Sequence, residues 1–98
     1  MKIFSRSTLR DFWDRKSDSE KQLKAWFAEA KRARWKTPHD VKNQYPQASI
    51  IGERDVVFNI CHNKYRLAVN IEYLRGWVFI KFLGTHPEYD KWNKRLKR

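Results

Sequence analysis

Acidic residues, cysteine and long apolar runs are all scarce in this chain, and each shortage excludes something. Asp and Glu total 11 against 22 Lys and Arg, a formal net charge of +11. An imbalance of that size goes beyond solubility: its field attracts polyanions, whether nucleic acid, an acidic membrane surface or an acidic protein partner. The single cysteine, Cys61, excludes an intrachain disulfide. No window approaches the run of about 20 apolar residues that crosses a bilayer, and "MKIFSRSTLRDF" lacks the apolar segment of a signal peptide. The expected protein is soluble and cytoplasmic, with no membrane partner. Metal ligands are short as well. His39, His62 and His86 have no paired spacing, Cys61 stands alone, and no acidic cluster offers a seat for Mg²⁺. Neither a metal nor another cofactor is expected.

What is present suffices for one core. With 98 residues and 41% hydrophobic content, the chain reads as a single domain spanning 1–98. "KIFS" at 2–5 is a short extended piece. From Ser7, the spacing of Leu9, Phe12 and Trp13 predicts a short amphipathic helix. Ser17 and Glu20 form an S-x-x-E capping box, after which Leu23, Trp26, Phe27 and Ala30 continue the apolar stripe of a second helix. Pro38 disfavours helix at Thr37 and predicts an end near Trp35. "KTPHDVKNQYPQAS" then reads as a long polar connection containing two prolines.

From Ile50 the period becomes two, and register can be argued. In "DVVFNI" Val56, Phe58 and Ile60 alternate with Val57 and Asn59; in "KYRLAVNIE" Tyr65, Leu67, Val69 and Ile71 alternate with Lys64, Arg66, Ala68 and Asn70. A tight turn at His62-Asn63 pairs Ile60 with Tyr65, Phe58 with Leu67 and Val56 with Val69, which puts the apolar residues on one face. Gly76 closes a second turn into "WVFIKFL", and pairing Ile71 with Val78 sets Val69 beside Ile80 and Leu67 beside Phe82. The opposite face then holds Asn59 across from Arg66, Cys61 across from Lys64, and Ala68 across from Lys81. Lys64, Arg66 and Lys81 form a cationic cluster without opposing acids. Lys and Arg on an exposed strand also serve solubility alone, so the cluster by itself leaves both readings open.

"GTHPEYDKW", 84–92, follows that sheet. Thr85 and Glu88 form T-x-x-E, a helix start that sets His86 and Tyr89 close to the cations. Arg and Lys stabilise charge developing on a phosphorane, His moves protons, and Tyr stacks on a base or bonds a phosphate. RNA carries its own nucleophile, the 2′-OH, so such a site needs no metal. The bland reading is that His86 starts a helix, Tyr89 and Trp92 pack it on the sheet, and Asp90 is a solvated charge. Outside this cluster, "KRARWK" at 31–36 and "KWNKRLKR" at 91–98 interleave Trp with cations, a composition suited to an RNA backbone or to an acidic partner.

The stretch "VVFNICHNKYRLAVNIEYLRGWVFIKFLGTHPEYDK" resembles the HigB-type toxins of bacterial toxin-antitoxin pairs, in the RelE-like group of messenger-RNA interferases. The likeness is most specific over 56–91, where N-K-Y-R-L precedes V-F-I-x-F and G-T-H-x-x-Y-D, and it extends to "IFSRSTLRDFW" near the start. It implies an α+β, RelE-like fold: a short N-terminal strand, two helices packed on an antiparallel sheet and a short C-terminal helix. It also implies ribosome-dependent messenger-RNA cleavage, control by a HigA-type helix-turn-helix antitoxin, and operator DNA binding through that antitoxin. Carried onto this sequence, the resemblance places Lys64, Arg66, His86 and Tyr89 in catalysis. Lys81, Asn59, Lys36, Lys91, Lys94 and Arg95 are the RNA-binding candidates. A non-catalytic RNA-binding or ribosome-associated module is the competing expectation.

Overall fold

The period-two segments form a sheet and the period-3.6 segments cover it, in a computed structural model that describes residues 1–96. In chain order the elements are β1 (Lys2–Phe4), α1 (Arg6–Arg15), a 3-10 turn (Ser17–Ser19), α2 (Glu20–Arg32), α3 (Pro38–Gln44), β2 (Ser49–Ile51), β3 (Asp55–Ile60), β4 (Tyr65–Glu72), β5 (Trp77–Thr85) and α4 (His86–Leu96). The sheet order is β1-β5-β4-β3-β2. Only β1, parallel to β5, departs from the antiparallel arrangement expected of the described strands. None of the described helices is long and apolar enough to cross a membrane.

The two helical stripes cover one face of the sheet. Leu9, Phe12 and Trp13 of α1 and Leu23, Trp26 and Ala30 of α2 pack on Val56, Phe58, Ile60, Tyr65, Leu67, Val69, Ile71 and Val78. Phe12 meets Tyr65 edge-on at 5.0 Å between centroids, and Trp26 meets Phe58 at 5.4 Å. These contacts are the expected inward sets of β3 and β4.

Three local expectations need correction. The Ser17–Glu20 capping box does not form: a single residue, Lys16, separates α1 from the 3-10 turn, which absorbs the reversal. There Ser19 Oγ donates to the Lys16 carbonyl at 2.7 Å, and α2 starts at Glu20 without a side-chain cap. The second helix stops at Arg32, because Ala33 is extended (φ −67°, ψ 156°). This lets Trp35 fold back into the core, where it is buried. The polar connection also contains α3. Thr37 caps it by accepting from Asp40 N–H, Asp40 accepts from the Lys36 and Thr37 amides, and Pro38 occupies the first turn. The proline that forbids helix before it opens the next one.

Between β3 and β4 the pairing runs as expected from Ile60↔Tyr65 through Val56↔Val69. The turn closes with Lys64 N–H donating to the Cys61 carbonyl at 3.0 Å, with His62 at φ 53° and Asn63 at φ 75°. Positive φ at both central residues is the geometry of a type I′ hairpin turn. Between β4 and β5, Ile71↔Val78 and Val69↔Ile80 also hold, but the register then shifts. Lys81 is bulged out, so Ala68 faces Phe82, Leu67 faces Leu83 and Arg66 faces Gly84. The expected pairs of Leu67 with Phe82 and Ala68 with Lys81 are therefore wrong. The bulge moves Phe82 to the outer face, where it stacks on Trp92 at 5.0 Å and joins Val57, Ala68 and Tyr89 in a second apolar cluster. That cluster seats α4, and Leu83 replaces Phe82 against the main core.

Candidate functional site

Arg66 lies on the central strand β4 and faces outward, opposite Asn59 on β3 and Gly84 on β5. Gly84 leaves the space that the start of α4 needs: a Cβ there would come within 2.7 Å of Phe82 Cζ and 2.8 Å of Glu88 Oε1. Glu88 is committed to the expected capping box. It accepts from Thr85 N–H at 2.8 Å, while Thr85 Oγ1 accepts from Glu88 N–H at 3.3 Å. The bond from the Thr85 backbone holds the Glu88 carboxyl below its ordinary range. Gly84→Ala is therefore expected to destabilise the fold by about 1–3 kcal/mol through overpacking and to loosen the start of α4. Chemical denaturation measures it, and an unchanged midpoint would contradict the crowding.

Fixed in this way, His86 is the first residue of α4 and its Nε2 lies 2.7 Å from a terminal nitrogen of Arg66. A guanidinium only donates, so Nε2 accepts and the ring hydrogen resides on Nδ1. Nδ1 lies 3.3 Å from Asp90 Oδ2, one helical turn on. Guanidinium, imidazole and carboxylate thus form a chain. The Arg66 guanidinium also sits 5.6 Å from the Tyr89 ring centroid. Tyr89 is buried against the sheet, and burial raises its hydroxyl pKa despite the opposing pull of Arg66. Arg66 Nε and Asn59 Oδ1, on facing residues, make no hydrogen bond among the described residues. Asn59 Nδ2 donates instead to the Gln47 carbonyl at 3.3 Å.

Lys64 is not brought to this group. Its ammonium lies 2.6 Å from Asp18 Oδ2, while Asp18 Oδ1 accepts from the Tyr65 hydroxyl at 2.7 Å. Asp18 belongs to the 3-10 turn, so Lys64 is drawn toward the helical layer, away from His86. Cys61 is turned the same way: at φ 54°, its N–H donates to Gln22 Oε1 at 2.7 Å. The hydrogen bond from Lys64, with that from Tyr65, holds the Asp18 carboxyl below its ordinary value of 3.8. A carboxyl whose folded pKa is depressed adds stability above its unfolded pKa and loses it as pH falls through the folded one. Melting temperatures of wild type and Asp18→Asn should therefore differ at neutral pH and converge below pH 3.8. A gap that stayed constant down to strongly acid pH would contradict the link.

The remaining candidates are dispersed. Lys81, on the bulge, is exposed and borders a cavity of about 260 Å³ that Tyr89 and Trp92 also line. Lys91, Lys94 and Arg95 are exposed along α4. Lys36 lies beyond α2, near Arg34 and Arg75. The last two residues of "KWNKRLKR", 97 and 98, fall outside the described residues. Two participants escaped the sequence reading. Asp90 had a usable signal, since residues four apart on a helix face each other. Gly84 had none, because the bulge decides what lies opposite Arg66.

A search of curated proteins returns no match. The HigB_toxin family model, the RelE-like toxic component of a toxin-antitoxin system, does match residues 19–92, from the 3-10 turn to the Trp92 that seats α4, and the chain belongs to that family.

Proposed function

We propose that this toxin is an endoribonuclease that cuts messenger RNA on the ribosome and so inhibits translation in the cytoplasm. The chain from Arg66 through His86 to Asp90 supports this reading most. An RNA phosphate is a stronger partner for Arg66 than a neutral imidazole, because charge-assisted bonds are the stronger ones. Binding draws the guanidinium onto the phosphate and frees the lone pair of His86 Nε2. That nitrogen takes the proton of the 2′-OH, and Asp90 stabilises the resulting imidazolium. The 2′-oxygen forms its bond to phosphorus, the bond to the 5′-oxygen breaks, and the leaving oxygen is protonated from solvent. Arg66 stabilises the charge on the phosphorane between these events. Tyr89 supports Arg66 with its ring face and lies where a base or the phosphate arrives. Lys64, held by Asp18, is placed at the fringe. Asn59, Lys81, Lys36, Lys91, Lys94 and Arg95 contribute to holding RNA.

A HigA-type helix-turn-helix antitoxin would neutralise the protein, and the complex would reach operator DNA through the antitoxin. The test is induced expression of wild type, Arg66→Ala and His86→Ala, with mapping of messenger-RNA 5′ ends. Wild type should arrest growth and create new ends within coding regions, and neither variant should. A folded wild type that leaves growth and 5′ ends unchanged favours the binding-module reading instead.

A further inference from the structure

The outer face of the sheet has two halves, and α4 covers one of them through Val57, Ala68, Phe82, Tyr89 and Trp92. The other half, along β1 and the first part of β5, carries three partly exposed rings that belong to neither apolar cluster. Phe4 and Phe79 face each other in register and stack, with centroids 4.8 Å apart and planes 12° apart. Trp77 stands edge-on to both, at 5.7 and 6.2 Å. Each ring also holds a cation: Lys2 Nζ is 5.2 Å from Phe4, Arg75 Cζ is 5.1 Å from Trp77, and Lys81 Nζ is 5.9 Å from Phe79. All three cations are exposed, and none is ion-paired among the described residues.

The strip continues at both ends. Beyond Trp77 it opens into a depression of about 670 Å³, where Lys31, Arg34 and Lys36 join Lys2 and Arg75, with no Asp or Glu in its lining. In the other direction β5 runs through Lys81 to Thr85, next to His86. The part of β5 left open, from Trp77 to Lys81, spans roughly 16 Å at about 3.3 Å per residue, room for about two or three nucleotides before α4 covers Phe82. The acids that border the strip on β4 and β3 are engaged, Glu72 with Arg54 and Asp55 with Asn70.

We infer that Phe79 and Trp77, with Lys81, Arg75 and Lys2, form a stacking platform for the single-stranded RNA that leads away from the Arg66–His86 centre. The inference rests on the RNA-cleaving reading for the direction of the strand. Rings for bases alternating with cations for phosphates are the composition of single-strand sites. An acidic peptide would use the cations alone and gain nothing from the ring surface that stays partly exposed beside them. A ladder serving only to hold β1 on β5 would need no cation over each ring.

The probe is a labelled 12-nucleotide single-stranded RNA, titrated at low salt against full-length protein carrying His86→Ala so that nothing is cut. Phe79→Leu keeps apolar bulk and should weaken binding about fivefold or more, the effect of losing one stacked base. A triple variant, Lys2→Gln with Arg75→Gln and Lys81→Gln, alters only exposed positions. It should lower the slope of log K against log salt by about two. Duplex RNA of equal length and poly-glutamate of equal charge should both compete poorly. Unchanged binding by these variants, verified as folded by their melting temperatures, would overturn the platform. So would equal competition by poly-glutamate, or a dimer that Phe79→Leu dissociates, each of which assigns the face to another occupant. The two readings fail separately: weakened variants beside a wild type that cuts nothing remove the nuclease alone, and normal cutting with unweakened variants removes the platform alone.

Discussion

Replacing Arg66 or His86 with alanine is expected to abolish the growth arrest that the proposed activity predicts for induced wild type, while each variant accumulates as folded protein. Removing a donor that stabilises transition-state charge costs about 10²–10³ in rate, and removing a general base about 10²–10⁴. Either loss would take a translation-linked nuclease below a toxic rate. Both side chains are partly exposed and belong to neither apolar cluster, so neither truncation opens the core. Lys64→Ala separates this account from one in which every cation near the hairpin serves catalysis. With its ammonium on Asp18, Lys64 should cost less than about tenfold. First-order cleavage rates of a defined messenger RNA on purified ribosomes measure all three. A Lys64→Ala defect as deep as that of Arg66→Ala would contradict the division of labour.

Leu67→Ala is the expected counterpart, large in stability and small in chemistry. Leu67 adjoins Arg66 on β4 but points to the other face, and it is fully buried at the centre of the main cluster. Truncating a buried leucine costs about 2–5 kcal/mol, a large share of the roughly 5–15 kcal/mol that holds a domain of this size. Calorimetry should show the melting temperature falling by about 10 °C or more. Cleavage per folded molecule should stay near wild type at low temperature. Neighbouring residues would thus separate fold from function, and a Leu67→Ala protein as stable as wild type would contradict the packing described.

Legibility followed the physics of each segment. The β3–β4 register was plain because the alternation from Val56 to Ile71 is unbroken and a one-residue slip would scatter it. The β5 bulge was hidden because "WVFIKFL" is apolar on both parities. Moving Phe82 outward and Leu83 inward leaves no trace in the hydrophobic pattern, and only the seat of α4 decides it. The Thr85–Glu88 box is plain because its chemistry is local to four residues. The equivalent Thr37–Asp40 box is equally local, but Pro38 and Pro46 in the same polar stretch carry the pattern of a loop. Arg66 and His86 could be placed together because strand parity and a helix start both led to one end of the sheet. The fate of Lys64 could not, since Asp18 lies 46 residues away and no local rule links them.

The most direct test of the central claim is the chemistry of the cut ends on a defined messenger RNA bound to purified ribosomes. If His86 takes a proton from the 2′-OH while Arg66 holds the phosphate, wild type should leave a 2′,3′-cyclic phosphate and a 5′-hydroxyl. A single 2′-deoxy nucleotide at the cut position should then block cleavage there. Ends bearing a 5′-phosphate and a 3′-hydroxyl, or undiminished cutting at the 2′-deoxy position, would mean that water attacks, and the mechanism assigned to this pair would be wrong.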